Sequence, residues 1–301
     1  MKKLLFIINP MAGRQQAQTD LYKMVKIFAD HDYEVTVYPT RARLDCTRKV
    51  LEDAGRFDLV VCCGGDGTLN EMVSGMMQRQ DRRPMGYIPL GSTNDLAVSL
   101  RLPTRVEEAA LRAVTGNEFH MDVGTLNDRY FNYIAAFGAF TETSYATPQE
   151  IKNALGHLAY ILEGVKSLGK ILPIHVKITA DDEQFEEDYL FGAVTNTISL
   201  GGVLKLDPEK VLLDDGMYEL LLVKNPTNAL EAQAMLTAIM TQNFDGPLVK
   251  MFHASDITFE SSHEISWTID GEYGGTFSHT HILNNKNACL LYTSDAADDL
   301  T

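Results

Sequence analysis

The run Asp58-Leu59-Val60-Val61-Cys62-Cys63 passes directly into Gly64-Gly65-Asp66-Gly67-Thr68-Leu69-Asn70-Glu71. The first six residues read as a buried strand and Leu69–Met77 as a helix, so the glycines occupy a strand-to-helix turn. Glycine there lets backbone N–H groups approach phosphate oxygens, and the helix N-terminus adds free donors and a positive dipole end. Asp66 is out of place beside a phosphate unless a metal ion or a polarised hydroxyl is its partner. A plain Gly-Asp-Gly turn with a helix cap would look the same in isolation.

Outward from this turn the same grammar repeats. Strand-like Leu4–Ile8, Glu34–Tyr38 and Met85–Pro89 alternate with helix-like Thr19–Asp30, Thr47–Ala54 and Val106–Val114. Such alternation predicts a parallel sheet with helices on its faces, a doubly wound nucleotide-binding α/β domain. Two further loops follow predicted strands: Asn9-Pro10-Met11-Ala12-Gly13, and Pro89-Leu90-Gly91-Ser92-Thr93-Asn94-Asp95. Ser92 or Thr93 could cap the helix that follows or donate to a phosphate. Open α/β sheets bind ligands at this strand edge.

Past Glu118 the texture changes. Met121–Leu126, Tyr130–Ala136, Ile174–Ala180, Tyr189–Thr195, Met217–Val223, Ile257–Glu260 and Glu264–Ile269 read as strands, broken by helices near 148–168 and 227–242. Strands following strands predict an antiparallel β-sandwich or barrel. The acidic residues Asp181-Asp182-Glu183 and Glu186-Glu187-Asp188 read as a solvated hairpin turn and its flanks. Asp214-Asp215-Gly216 reads as a turn whose carboxylate and carbonyls would also suit Mg²⁺ or Ca²⁺. Asp270-Gly271-Glu272 reads either as a hairpin turn or as a carboxylate offered to a cleft. The expected organisation is an α/β domain over 1–119, completed by about 282–292, and a β-sandwich over 120–281.

Composition narrows the function. The chain has 301 residues and a net charge of −15. Residues 1–120 carry 16 Lys+Arg against 15 Asp+Glu, whereas residues 121–301 carry 10 against 26. So acidic a second half argues against a nucleic-acid partner. No apolar run approaches the roughly 18 residues of a membrane-spanning helix. Cys46, Cys62, Cys63 and Cys289 lack metal-ligand spacing and read as reduced core residues of a cytosolic protein. The histidines are scattered, without a metal or triad pattern. Arg41, Arg43 and the Arg79–Arg83 cluster are expected on a nucleotide or membrane side. The run from Cys289 to Asp298 back-translates onto a sequencing-library transposon adapter, so 289–301 is read as an adapter-derived tail and native sequence is expected to stop near Ala288; a short acidic tail is the alternative. Cys289–Tyr292 are nonetheless apolar enough to pair in or beside the first sheet, with residues after Ser294 loose.

Together, Asn9-Pro10-x-Ala12-Gly13, the Gly64–Glu71 run, Gly91-Ser92-x-Asn94-Asp95, Asp214-Asp215-Gly216 and Asp270-Gly271-Glu272 resemble the bacterial soluble diacylglycerol kinases, relatives of other lipid kinases and, more distantly, of sphingosine kinases. The resemblance runs in order from residue 3 to about 285. It implies ATP- and Mg²⁺-dependent phosphorylation of a lipid hydroxyl, with diacylglycerol giving phosphatidic acid. It implies ATP contacts from Asn9, Pro10, Met11, Ala12 and Gly13, from Thr40, from Gly65, Asp66, Gly67, Thr68, Leu69, Asn70 and Glu71, and from Ser92. It places a structural Mg²⁺ on Asp215 and the carbonyls of Leu212 and Met217, and makes Glu272 the general base, with Asp66 also catalytic. It further implies a homodimer working peripherally at the inner membrane face. Ala12 replaces a common serine and Ser92 a commoner threonine, and the family's closing segment is interrupted by the adapter-like run. The rival readings are NAD kinase or phosphofructokinase, which share Gly-Gly-Asp-Gly-Thr but fit Leu69-Asn70-Glu71 less well, another lipid substrate such as a sphingoid base, ceramide or polyprenol, and a nucleotide- or lipid-binding protein without turnover.

Overall fold

The computed structural model describes residues 1–138, 172–200, 204–206 and 211–293. The helix expected near 148–168 and the residues after Thr293 lie outside them. The chain divides into two compact units. One holds Met1–Val123, Leu212–Asp215 and the chain from Lys286; the other holds Gly124–Val211 and Gly216–Asn285.

In the first unit, β1 (Lys2–Ile8), a short helix α1 (Gln16–Thr19), α2 (Leu21–Asp30), β2 (Tyr33–Pro39), α3 (Asp45–Asp53), β3 (Leu59–Gly64), α4 (Asp66–Met77), β4 (Met85–Pro89), α5 (Asp95–Ser99) and α6 (Val106–Thr115) follow in turn. The sheet runs β4-β3-β1-β2, all parallel. Phe6 and Ile8 of β1, Leu59 and Val61 of β3 and Ile88 of β4 form one buried cluster with Met24 and Phe28 of α2 and with Val106, Ala110 and Ala113 of α6. Their alternates Leu5, Ile7, Val60 and Cys62 are equally buried. A strand sends successive side chains to opposite faces, so both faces are covered. α4 packs against β3 and α3. Gly75 permits the latter approach: a Cβ there would lie 2.9 Å from the Thr47 carbonyl oxygen. All four cysteines are buried and free.

The other unit is mainly antiparallel. β5 (Asn117–Leu126) leads into it, and β6 (Arg129–Phe131), β7 (Ile134–Gly138), β8 (Ile174–Ala180), β9 (Glu183–Thr195), the short pair β10 (Ser199–Leu200) and β11 (Leu204–Lys205), β12 (Tyr218–Lys224), β13 (Val249–Ala254), β14 (Asp256–Ile269) and β15 (Glu272–Thr293) follow. The main path is β13-β12-β9-β7-β14-β15, with β8 also bridging β9 and β14. Its core centres on Trp267, 5.0 Å from Phe137 and 4.9 Å from Phe259 by ring centroid. Between β12 and β13 lies α7 (Ala229–Thr241), started by Asn228, whose side chain accepts from Glu231 N–H.

Several expected boundaries move. Tyr130–Ala136 is two strands rather than one, because the backbone N–H groups of Asn132, Tyr133 and Ile134 turn to the Asp270 carboxylate. The two strands expected at 257–260 and 264–269 are the single β14, with a register shift between Glu260 and Ile265. The acidic hairpin is where it was expected: the chain turns at Asp181-Asp182, and Glu186, Glu187 and Asp188 lie on the flanking strand β9, paired with β8. Glu186 and Asp188 share one face of the strand and Glu187 the other, and all three stay exposed to solvent. Finally, the residues of β15 from Lys286 onward belong to the first unit, and Leu291 pairs in parallel with Met85 of β4.

Candidate active site

Parallel strands bring four loops to one sheet edge. The backbone stitches them in series: Thr40 N–H donates to the Ile8 carbonyl at 2.9 Å, Asn9 N–H to Cys63 at 2.9 Å, and Leu90 N–H to Gly64 at 2.7 Å. β1 has its sequential successor β2 on one side and β3 on the other, the topology at which open α/β sheets form a ligand crevice.

The first loop is an Asx turn. Met11 N–H donates to Asn9 Oδ1 at 3.0 Å, Ala12 N–H to the Asn9 carbonyl, and Gly13 takes a positive φ of 60°. Gln18 Nε2 donates to the Pro10 carbonyl. Met11 is exposed and Ala12 buried. After β3, Gly65 is the N-cap of α4 in extended conformation and Asp66 its first residue. Thr68 and Leu69 N–H both donate to the Gly65 carbonyl, and both side chains are buried. Asn70 Oδ1 lies 3.5 Å from the Ser74 hydroxyl.

The glycine turn and the loop after β4 touch directly. A Cβ on Gly91 would stand 2.7 Å from the Gly65 Cα. Asn94 locks them together. It sits in the left-handed region at φ 52°, its N–H donates to Asp66 Oδ2 at 2.9 Å, its Oδ1 accepts from Gly91 N–H at 2.8 Å, and its Nδ2 donates to the Gly91 carbonyl at 2.9 Å. The buried Tyr87 hydroxyl lies 3.2 Å from the same Oδ1. Asn94 is therefore the N-cap of α5, and no side-chain hydrogen bond caps that helix. The capping role expected of Ser92 or Thr93 is not what this loop uses; both are exposed at its tip.

Asp66 carries the unusual electrostatics. Its Oδ1 is buried and, among the described residues, has no hydrogen-bond partner. Burial, with the neighbouring Asp95 carboxylate adding to it, pushes its carboxyl up to about 6. A buried acceptor left unfilled beside a second acid is the donor set a cation fits. The sequence alone does not mark Asn94 and Asp95 as partners of Asp66, although both lie in one of the glycine-bearing loops. No spacing signal links positions 28 residues apart.

Glu71 directs its carboxylate to the start of α3, accepting from Leu44 N–H at 2.8 Å and Cys46 N–H at 3.1 Å. Asp215 lies on a bend over residues 213–216 that ends in Gly216 at φ 85°, with Leu212 just before it and Met217 just after. The Asp215 carbonyl accepts from Lys286 Nζ and the Met217 carbonyl from Asn284 Nδ2. Among the described residues, no three His, Cys, Asp or Glu side chains converge on a metal position. Glu272 is the exposed first residue of β15, opposite Ile269 across a two-residue turn.

Known sequences and structures bear on this arrangement. A family described as "Diacylglycerol kinase catalytic domain" matches residues 3–126, and one described as "YegS C-terminal NAD kinase beta sandwich-like domain" matches 140–287. Diacylglycerol kinase of Bacillus subtilis (strain 168) is 33% identical over 296 residues, covering 95% of this chain and 97% of its own. That of Staphylococcus carnosus (strain TM300) is 31% identical, covering 97% and 95%. A crystal structure of a diacylglycerol kinase from Bacillus anthracis str. Sterne shares the fold, with a TM-score of 0.77 at 23% identity over 98% of each chain.

Proposed function

The chain belongs to the diacylglycerol kinase family and is a lipid kinase, and we propose that it transfers the γ-phosphoryl group of ATP to the free hydroxyl of diacylglycerol. The observation that carries this reading is Asp66 Oδ1, buried and unfilled at the first residue of α4 where three glycine-containing loops meet. Phosphoryl transfer asks little covalent chemistry of the protein; positioning and charge neutralisation do most of it.

In this reading the first unit is a doubly wound nucleotide-binding domain, which the burial of both sheet faces supports. The Asn9–Gly13 loop, Thr40, Gly65 to Asn70 and Ser92 bind ATP, with backbone N–H groups cradling phosphate. Asp66 would hold a catalytic Mg²⁺ or its waters, and Asp215 with the Leu212 and Met217 carbonyls would hold a structural one. Bound there, Mg²⁺ would neutralise charge developing on the phosphates. Glu272 accepts the proton of the attacking hydroxyl as general base. Among the described residues no helix is long and apolar enough to cross a membrane, and the enzyme is proposed to work as a cytoplasmic homodimer that meets its substrate peripherally at the inner membrane face.

The test is a lipid panel. Purified protein incubated with labelled ATP and Mg²⁺ should label diacylglycerol to give phosphatidic acid, and sphingosine, ceramide or undecaprenol far less. Preferential labelling of one of the other three would reassign the substrate, and no labelling of any would leave a nucleotide-binding relative without turnover. Glu272→Gln should lower kcat at least a hundredfold while the Kd for ATP stays within twofold. A large rise in that Kd with normal kcat would move Glu272 to the nucleotide.

A further inference from the structure

Between β2 and α3 the chain makes a turn, Arg41-Ala42-Arg43-Leu44, whose four residues are all exposed. Exposed turns are ordinarily soft, but this one is held from beneath by two acids. Asp45, 6% exposed, accepts Arg41 N–H at 2.9 Å and the Tyr38 hydroxyl at 3.1 Å, and pairs with Arg48 Nη2. Burial works against ionisation of Asp45, but these bonds outweigh it and hold the carboxyl at about 2. From α4, Glu71 takes Leu44 N–H on one oxygen and Cys46 N–H on the other, and its own carbonyl accepts the Thr47 hydroxyl at 2.8 Å. Leu44 is kept at a left-handed φ of 64°, a conformation a leucine adopts only when its surroundings require it.

Both Glu71 oxygens are thus engaged, and the donors they satisfy are those at the start of α3. A carboxylate so used would also repel a polyphosphate if it faced one. The turn it secures carries the opposite charge. Arg41 leans on the Tyr38 hydroxyl at 3.3 Å and pairs loosely with Asp45 Oδ2 at 3.7 Å, yet its side chain stays 73% exposed. The preceding Thr40 is hydrogen-bonded to Ile8, immediately before the Asn9–Gly13 loop. Resting on the nucleotide reading above, we propose that Glu71 is a positioning residue and that it holds Arg41–Leu44 as a cationic turn against the polyphosphate of the nucleotide. Arg41 and Arg43 then make the contact, and Glu71 makes none. A held turn binds more tightly than a free one because its ordering entropy is spent in folding.

The experiment reads equilibrium binding, so it does not depend on lipid turnover. ATP and adenosine affinities are measured by calorimetry for the full chain, Glu71→Ala, Glu71→Gln, Arg41→Ala/Arg43→Ala and the triple combination with Glu71→Ala. The exposed arginine pair should fold normally, whatever Glu71→Ala does to stability. Both the arginine pair and Glu71→Ala should weaken ATP about tenfold and leave adenosine within twofold. Glu71→Gln, which keeps one carbonyl acceptor, should weaken ATP by a smaller factor. Adding Glu71→Ala to the arginine pair should weaken ATP less than twofold further. Equal weakening of ATP and adenosine by Glu71→Ala, a full further loss in the triple variant, or unchanged ATP binding in the arginine pair would each overturn the proposal. A chain that binds ATP in this pattern but labels no lipid would instead overturn the lipid kinase reading alone.

Discussion

Two Asp-Gly pairs, 66–67 and 270–271, look alike as sequence and are opposites in the fold. Asp270 is buried, and its two oxygens accept the backbone N–H groups of Asn132, Tyr133 and Ile134 at 2.7–3.2 Å. It opens a two-residue hairpin in which it and Gly271 take φ of 47° and 80°, the type I′ geometry that fits strand twist. Asp66 instead starts a helix, accepts Asn94 N–H on one oxygen, and keeps the other buried without a partner among the described residues. A carboxylate whose lone pairs are filled by backbone is a structural strut. In the proposed reading, the oxygen of Asp66 left unfilled is the one that would turn to a bound cation.

That contrast can be broken most decisively by exchanging function for stability. Asp66→Asn should lower kcat for phosphoryl transfer a thousandfold or more, with the far-ultraviolet circular dichroism unchanged. Asp270→Ala should do the reverse to the fold. Three buried N–H groups would lose their acceptor, at a cost of about 3–5 kcal/mol in urea unfolding, and the protein that remains folded should still bind ATP. If Asp66→Asn unfolds the chain, or Asp270→Ala leaves its urea midpoint alone, the two roles have been assigned the wrong way round.

A smaller effect sharpens the comparison through pH. Asp66 is pushed above its unfolded value of 3.8, to about 6. The folded state therefore binds the proton more tightly than the unfolded chain. Its penalty is absent below about pH 4, grows as pH rises to about 6, and is constant above. In metal-free protein, Asp66→Asn should consequently be more stable than the parent at pH 7.5 by on the order of 3 kcal/mol and equal to it at pH 4. Denaturant midpoints at the two pH values check this; a gain at pH 4 as large as at pH 7.5 would show that the site does not raise the carboxyl.

The smallest difference lies in the glycines. Gly271→Ala meets no atom within 4 Å but must adopt a positive φ, and should lose about 1 kcal/mol. Gly67 sits inside α4 without a positive φ, so Gly67→Ala should hold or slightly raise the melting temperature. Equal losses at both positions would mean that the two turns are more alike than their dihedral angles indicate.

Periodicity carried much of the architecture. Apolar residues at strand and helix spacing located β1, β3, β4, α2 and α6 within a few residues, because these are local consequences of burying one side of a segment. Glycines next to a strand end marked the loops for the same reason. Where the reading slipped, a distant partner had intervened. Asn132 and Tyr133 interrupt an otherwise strand-like run only because Asp270, 138 residues from Asn132, takes its N–H. α4 begins at Asp66, three residues ahead of its first apolar position, because Gly65 caps it and the loop after β4 supports it.

The sequence by itself determined the alternation of strands and helices, the acidic second half and the glycine-bearing loops, all of which depend on neighbours in the chain. It could name Asp66 as catalytic, Glu71 as a nucleotide contact and Asp270 as part of a turn, but not the donors that reach each carboxylate. The tertiary structure decided that Asp270 fills its oxygens with backbone, that Glu71 turns to α3, and that Asp66 keeps one oxygen unfilled. A carboxylate's behaviour is set by which donors reach it and how much water is excluded, and both are fixed by groups brought together from far along the chain.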